Sequence, residues 1–182
     1  MKKYKVIALM VLCLAACIFL TGASGTNRAK SEFASTTINL GIVVSDVEKA
    51  AQFYKNALGF SEVPGFNVSK ELAGDSGLAD YHAFSVRVLT LGDEKGATKI
   101  KIKIMEFTEA PGKKVDNQFI HSSLGFSYLT ISVSDTTAAV KRAKRAGVHP
   151  VKEPYQLGGG NSYLTLIKDP DGNIIELIGP KK

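Results

Sequence analysis

The chain has 182 residues, 45% hydrophobic and 22% charged, with 17 Gly, 6 Pro, no Trp, two Cys and a formal net charge of +6. Those proportions suit one ordinary globular domain, or two small repeats sharing a core, and exclude a disordered or collagen-like chain. Charge and cysteine are concentrated at the start: Lys2, Lys3, Lys5, Cys13 and Cys17 come first, and no acidic residue precedes Glu32. Without the first 25 residues, three lysines fewer leave 20 basic and 17 acidic side chains, a charge of +3 and no cysteine. That is too little positive charge to argue for a nucleic-acid partner. A thiol-free chain also offers no disulfide, thiol nucleophile or thiolate ligand.

Met1–Lys5 is positively charged, Val6–Leu20 is an apolar run, and Thr21–Gly25 supplies small residues. This three-part pattern is that of a secretory signal peptide over residues 1–25, so the folded part is expected outside the cytoplasm. The run is shorter than the roughly 20 residues of a membrane span. Leu14-Ala15-Ala16-Cys17 also matches a bacterial lipobox, although Ile18-Phe19-Leu20 stays apolar where a lipoprotein turns polar. Two outcomes stay open: a soluble periplasmic protein, or an envelope lipoprotein anchored through Cys17. Residues 26–36 are polar and aperiodic and read as a tether.

From Thr37 a strand-like alternation begins, with Ile38, Leu40, Ile42 and Val44 against Asn39, Gly41 and Val43. Ser45 or Asp46 offers an N-cap, with Glu48 placed as in a capping box. Val47, Ala50, Ala51, Tyr54, Ala57 and Leu58 then follow at helical spacing, and Gly59 sits where a left-handed stop belongs. The same order returns with Leu129, Ile131 and Val133, the cap Asp135, the stripe Ala139, Val140 and Ala143, and the stop Gly147. Lys141, Arg142, Lys144 and Arg145 occupy the other helix face near its C-terminus, a solvated face suited to the dipole. Strands are expected near 60–63, 82–91 and 99–107, and near 150–152, 163–168 and 173–178, with turns at Gly92–Gly96 and Asp169–Asn173. Each half is therefore βαβββ, and the halves join through Thr108–Ser123, where Pro111 and Gly112 break the pattern. Neither half buries enough surface alone.

Leu40–Asp46, Gln52–Phe60 and Lys168–Leu177 carry a resemblance to the vicinal oxygen chelate superfamily: glyoxalase I, bleomycin-resistance proteins, fosfomycin-resistance enzymes and extradiol dioxygenases. The resemblance spans residues 37–180, with modules over 37–110 and 124–180. It implies an α+β fold in which two βαβββ modules form a half-open barrel around a cavity. It also implies that a divalent metal, where present, is held by a residue on the first and the last strand of each module, commonly His and Glu. Counting back seven from the post-strand Asp places the first-strand positions at Asn39 and Tyr128, and the last strands place carboxylates at Glu106 and Glu176. Alternation independently sets Asn39 opposite Leu40 and Ile42, and Tyr128 opposite Leu129 and Ile131, so both point into the cavity.

The sequence departs from the superfamily pattern at both His positions. Glu106 and Glu176 are hard donors suited to Mg²⁺ or Mn²⁺, whereas Zn²⁺ and Ni²⁺ sites want imidazole. His82, His121 and His149 are expected to be structural or superficial, since nothing pairs them at ligand spacing. Without metal, two facing carboxylates would form an acid/base pair. Gly158–Gly160 reads as a mobile lid, Asp169–Asn173 as a turn, and Lys99, Lys101 and Lys103 as the coat of an outer face or edge. No Ser/His/Asp or Cys/His triad can be assembled.

Two functions follow. The preferred one is an exported module that binds a small organic ligand in the cavity, with a second copy of the chain as a further candidate partner. The alternative is a metal-dependent lyase or isomerase in which the catalytic Glu106 and Glu176 also hold the metal. Glutathione-dependent chemistry suits an exported protein poorly.

Overall fold

A computed structural model describes residues 38–92 and 100–182. The signal and tether expected over residues 1–36, the turn at Gly92–Gly96 beyond its first residue, and Lys99 lie outside the described residues. The first module comprises β1 (Asn39–Val43), α1 (Val47–Gln52) running into a π-helical turn (Phe53–Ala57), β2 (Ser61–Val68), α2 (Lys70–Asp75), β3 (Phe84–Leu91) and β4 (Ile100–Met105). The second comprises β5 (Tyr128–Ser132), α3 (Thr136–Arg145), β6 (Lys152–Gln156), β7 (Tyr163–Lys168) and β8 (Ile174–Gly179). Each module is a four-stranded mixed sheet, in the orders β1-β4-β3-β2 and β5-β8-β7-β6, and only the first pair of each order is parallel. This is the expected α+β class with two βαβββ modules.

Local chemistry sets the elements. Asp46 and Asp135 cap α1 and α3, accepting the Lys49 and Thr137 amides, each at 2.9 Å. Glu48 does not close the expected capping box; it turns to Arg87 and Gln52. Gly59 and Gly147, with φ of 80° and 79°, end the two helical segments in the conformation glycine adopts without strain. α2 falls in a stretch with no strong apolar period; Ser69 caps it and only Ala73 is buried. Gly158–Gly160 form the turn of the β6–β7 hairpin, where the Leu157 amide donates to the Ser162 carbonyl.

One core serves both modules. Ala50, Ala51, Phe53, Tyr54 and Ala57 of the first helical segment meet Ala139 and Ala143 of α3, flanked by Ile102 and Ile104 from one sheet and Ile175 and Leu177 from the other. Small residues on both helices allow this close approach. The π-helical turn adds a residue per turn and keeps Phe53, Tyr54 and Ala57 all buried. A second, smaller cluster of Val68, Ala73, Val86 and Val88 lies on the other side of the first sheet.

A buried polar link ties the modules together. Asp169, in the turn between β7 and β8 and only 5% exposed, accepts the Tyr54 hydroxyl at 3.2 Å, the Asp171 and Asn173 amides at 3.0 and 2.8 Å, and Asn173 Nδ2 at 2.8 Å. Burial, and then the adjacent Asp169 carboxylate, push the Tyr54 phenol well above its ordinary value, so it remains a donor. No helix among the described residues is long and apolar enough to cross a membrane.

Candidate functional site

Each sheet has one face in the shared core and one turned away from it. In the second sheet Ile175 and Leu177 are core residues, so Glu176 and its row mates lie on the open face. There Thr130, paired with Glu176 in the parallel ladder, donates its hydroxyl to Glu176 Oε1 at 3.0 Å. Tyr128, two residues back on β5, is 53% exposed. In the first sheet Ile102 and Ile104 are core residues, which puts Lys101, Lys103 and Met105 on the open face with Asn39, Gly41 and Val43. Asn39 is exposed, and Lys101 and Lys103 are half-buried.

Superposing the two ladders by register identifies equivalent positions. Asn39 pairs Lys101 and Gly41 pairs Lys103, while Tyr128 pairs Ile174 and Thr130 pairs Glu176. Asn39 is therefore the counterpart of Tyr128, and the counterpart of Glu176 is Lys103, not Glu106. Glu106 lies just past β4 with the core-facing parity of Ile104, and its Oε2 accepts the Val47 amide at 3.0 Å at the start of α1. Ile100, Ile102 and Ile104 on one side and Ile174 and Ile178 on the other thus do not put Glu106 and Glu176 on like faces, and no facing acid/base pair forms between them in the chain. Sequence reasoning placed the first-module carboxylate by residue type. The parity of Ile102 and Ile104 was the signal that Glu106 belongs to the helix side.

Lys101 and Lys103 lie on the sheet face turned away from the core, the outer-face alternative of the expectation; the edge alternative fails, since β4 is flanked on both sides by β1 and β3. Two clefts, of about 410 and 640 Å³, adjoin Glu106. The smaller also includes His82 and Glu109; the larger runs along Pro111–Val115 to Asp171. His121 is exposed and stacks on Phe119 with ring centroids 5.7 Å apart, and His149 is exposed. Among the described residues no group of three or more His, Cys, Asp or Glu side chains is placed to share a metal ion.

A divalent metal does not fit the four equivalent open-face positions. Asn39, Tyr128 and Glu176 offer an amide, a phenol and one carboxylate, and Lys103 brings an ammonium, which has no lone pair to give while protonated. On the far side of the first module the charges pair off instead. Arg87 holds Glu62 at 2.6 Å and Glu48 at 2.7 Å, and Lys55 reaches Glu62 at 3.0 Å. Hydrogen bonds from Arg87 and then Lys55 hold the Glu62 carboxyl down at about 2.

Paired βαβββ modules, each giving one sheet face to a shared core, define the α+β class to which the chain's architecture belongs. The chain belongs to the Glyoxalase/Bleomycin resistance protein/Dioxygenase superfamily, whose family model matches residues 36–177. It is 28% identical over 141 residues to a probable lactoylglutathione lyase from Vibrio parahaemolyticus, covering 76% of this chain and 86% of that one. It is 29% identical over 149 residues to a lactoylglutathione lyase from Pseudomonas putida, covering 75% and 80%. Its fold is similar to that of a glyoxalase family protein from Bacillus cereus, with a TM-score of 0.64 and 22% identity over 85% of this chain and 99% of that one. Glyoxalase I from Zea mays gives a TM-score of 0.58 and 18% identity over 79% of this chain and 44% of that one.

Proposed function

We propose that the protein is an exported member of the superfamily that binds a small organic molecule against its open sheet faces without a catalytic metal. The observation that carries this reading is the set of residues at the four equivalent positions, Asn39, Lys103, Tyr128 and Glu176, which suits hydrogen bonding and charge pairing better than metal ligation. Because both sheets give one face to the same core, their open faces are turned away from it. A cavity enclosed between a first-module face and a second-module face is therefore completed by a second copy of the chain, as an isologous dimer. Export rests on the charged start, the apolar run Val6–Leu20 and the small residues after it. A lipid anchor on Cys17 would leave processing sensitive to Cys17→Ser.

The names of the relatives favour a second reading, a metal-dependent lyase or isomerase. One experiment separates the two. Protein lacking residues 1–25 is freed of metal, and its unfolding midpoint is followed with Mg²⁺, Mn²⁺, Ni²⁺ and Zn²⁺, with Glu106→Gln and Glu176→Gln as controls. A ligand that binds only the native state must raise the midpoint. The binding reading expects no metal-dependent rise and a dimer in sedimentation analysis. A rise abolished by both substitutions would establish the enzyme reading instead.

A further inference from the structure

The open face of the first sheet is built from cross-strand rows. Asn39, Lys101 and Thr90 form one row, and Gly41, Lys103 and Val88 the next; Val88 and Thr90 are buried, Val88 in the smaller cluster, so the face is open over β1 and β4. Among the described residues neither lysine is paired with a carboxylate, whereas the acidic Glu48 and Glu62 are taken up by Arg87 and Lys55 on the other side of the sheet. Lysines serve well on edges, where they deter strand pairing between molecules. These two sit on an interior strand, so that purpose does not account for them. The Lys103 ammonium lies 5.6 Å from the centre of the Phe66 ring, which holds it over the face rather than out in solvent. Gly41 beside it contributes no side chain, and the Met105 methyl lies 3.7 Å from where its Cβ would stand. Thr90 is 6% exposed, and its hydroxyl is buried without a hydrogen-bond partner. Two half-buried ammonium groups without a carboxylate partner among the described residues mark a face short of acceptors.

We propose that this face recognises the oxyanion of a small organic acid. Lys103 and Lys101 bind its carboxylate or phosphonate group, and its apolar part lies against Phe66. The inference rests on the small-molecule reading above and adds the chemical class of the ligand. It also explains why an ammonium stands at the position equivalent to Glu176: the positive charge belongs to the protein and the ligand brings the negative one.

The test uses phenylphosphonate and its neutral diethyl ester as probes. Each is titrated into protein lacking residues 1–25, which retains both modules and their shared core, and amide resonances are followed by NMR. Phenylphosphonate is expected to move amides of β1, β3 and β4, with affinity falling as salt rises. Lys103→Gln should weaken it at least fivefold and Lys103→Arg less than twofold, a pair that separates lost charge from lost folding. The diester should bind at least fivefold more weakly than the anion. Perturbation confined to α3, where Lys141, Lys144 and Arg145 form the other cationic run, would overturn the proposal, as would unchanged binding by Lys103→Gln. If the diester binds the same face as tightly, anion recognition falls while the small-molecule reading stands. If neither probe perturbs either open face, both fall.

Discussion

Replacing Asp169 by alanine tests whether the fold depends on the polar link between the modules. The substitution strips an acceptor from four donors: the Tyr54 hydroxyl, two turn amides and Asn173 Nδ2. Tyr54 is 1% exposed, so its hydroxyl would be left without water or partner. A buried donor so stranded costs about 1–3 kcal/mol, and hydrogen bonds to a charged acceptor are worth roughly 1.5–3 kcal/mol. The turn amides are only partly buried and recover some loss from solvent, which brings the expected cost to about 3–5 kcal/mol. For a domain of this size each kcal/mol moves the midpoint by roughly 2–4 °C, so Asp169→Ala should melt roughly 6–20 °C below the parent. Tyr54→Phe removes one donor and leaves Asp169 three, so it should cost about 1 kcal/mol. Asp169→Asn keeps one oxygen for the turn amides and should fall between. Thermal unfolding followed by circular dichroism measures all three. A loss below about 3 °C for the alanine variant, or equal losses for alanine and asparagine, would refute the account.

Glu106→Ala should lower stability by about 1 kcal/mol through the exposed Val47 amide, while Glu106→Gln, which keeps an acceptor, should recover most of it in urea unfolding. Glu62, held down at about 2, stabilises the fold above its unfolded value of about 4.3, and that contribution is lost as pH falls from there toward 2. With its side chain 30% exposed, screening reduces the contribution to roughly 1 kcal/mol, and Glu62→Gln should flatten stability against pH across that acid window. Combining Asn39→His, Lys103→Glu and Tyr128→His would place two imidazoles and two carboxylates at the four equivalent positions. Zn²⁺ or Ni²⁺ at a hundredfold excess over the dissociation constant should then stabilise the fold by about 2.7 kcal/mol, and no response would show that the positions do not converge.

The elements legible in the sequence were those fixed by near neighbours. Asp46, Gly59, Asp135 and Gly147 act on amides or backbone angles within their own turn, so local pattern sufficed. Ile102, Ile104, Ile175 and Leu177 could be read as strand residues for the same reason. What escaped depends on which strands lie side by side. The Glu62–Arg87–Glu48 network spans β2, β3 and α1, and the Tyr54–Asp169 link joins residues 115 apart in sequence. α2 escaped because it buries only Ala73 and leaves Leu72 exposed, too little apolar period to register. The π-helical turn escaped because Phe53 and Tyr54 lie on the core face in either helix type until the packing of α3 is known. The site was half legible. Alternation alone turned Asn39 and Tyr128 away from the core, but finding that Lys103 rather than Glu106 matches Glu176 required the register that sets Gly41 against Lys103.

The residues that hold the fold are largely distinct from those at the open-face positions, and this separation bears on how far the relatives' activity can be carried over. Asp46, Asp135, Asp169 and Tyr54 satisfy backbone or buried polar groups, and replacing them is costly. Asn39, Lys103 and Tyr128 satisfy no buried group among the described residues, so they are free to vary at little cost in stability. Glu176 makes only an exposed bond to Thr130. A scaffold of this kind can keep its modules, caps and turn while the side chains on its outer sheet faces change. Similarity over most of the chain then follows the scaffold and does not by itself carry an activity. In this chain the four equivalent positions carry one positive and one negative charge on different sheets, and the lysine, which no relative's name accounts for, is the residue on which a functional assignment turns.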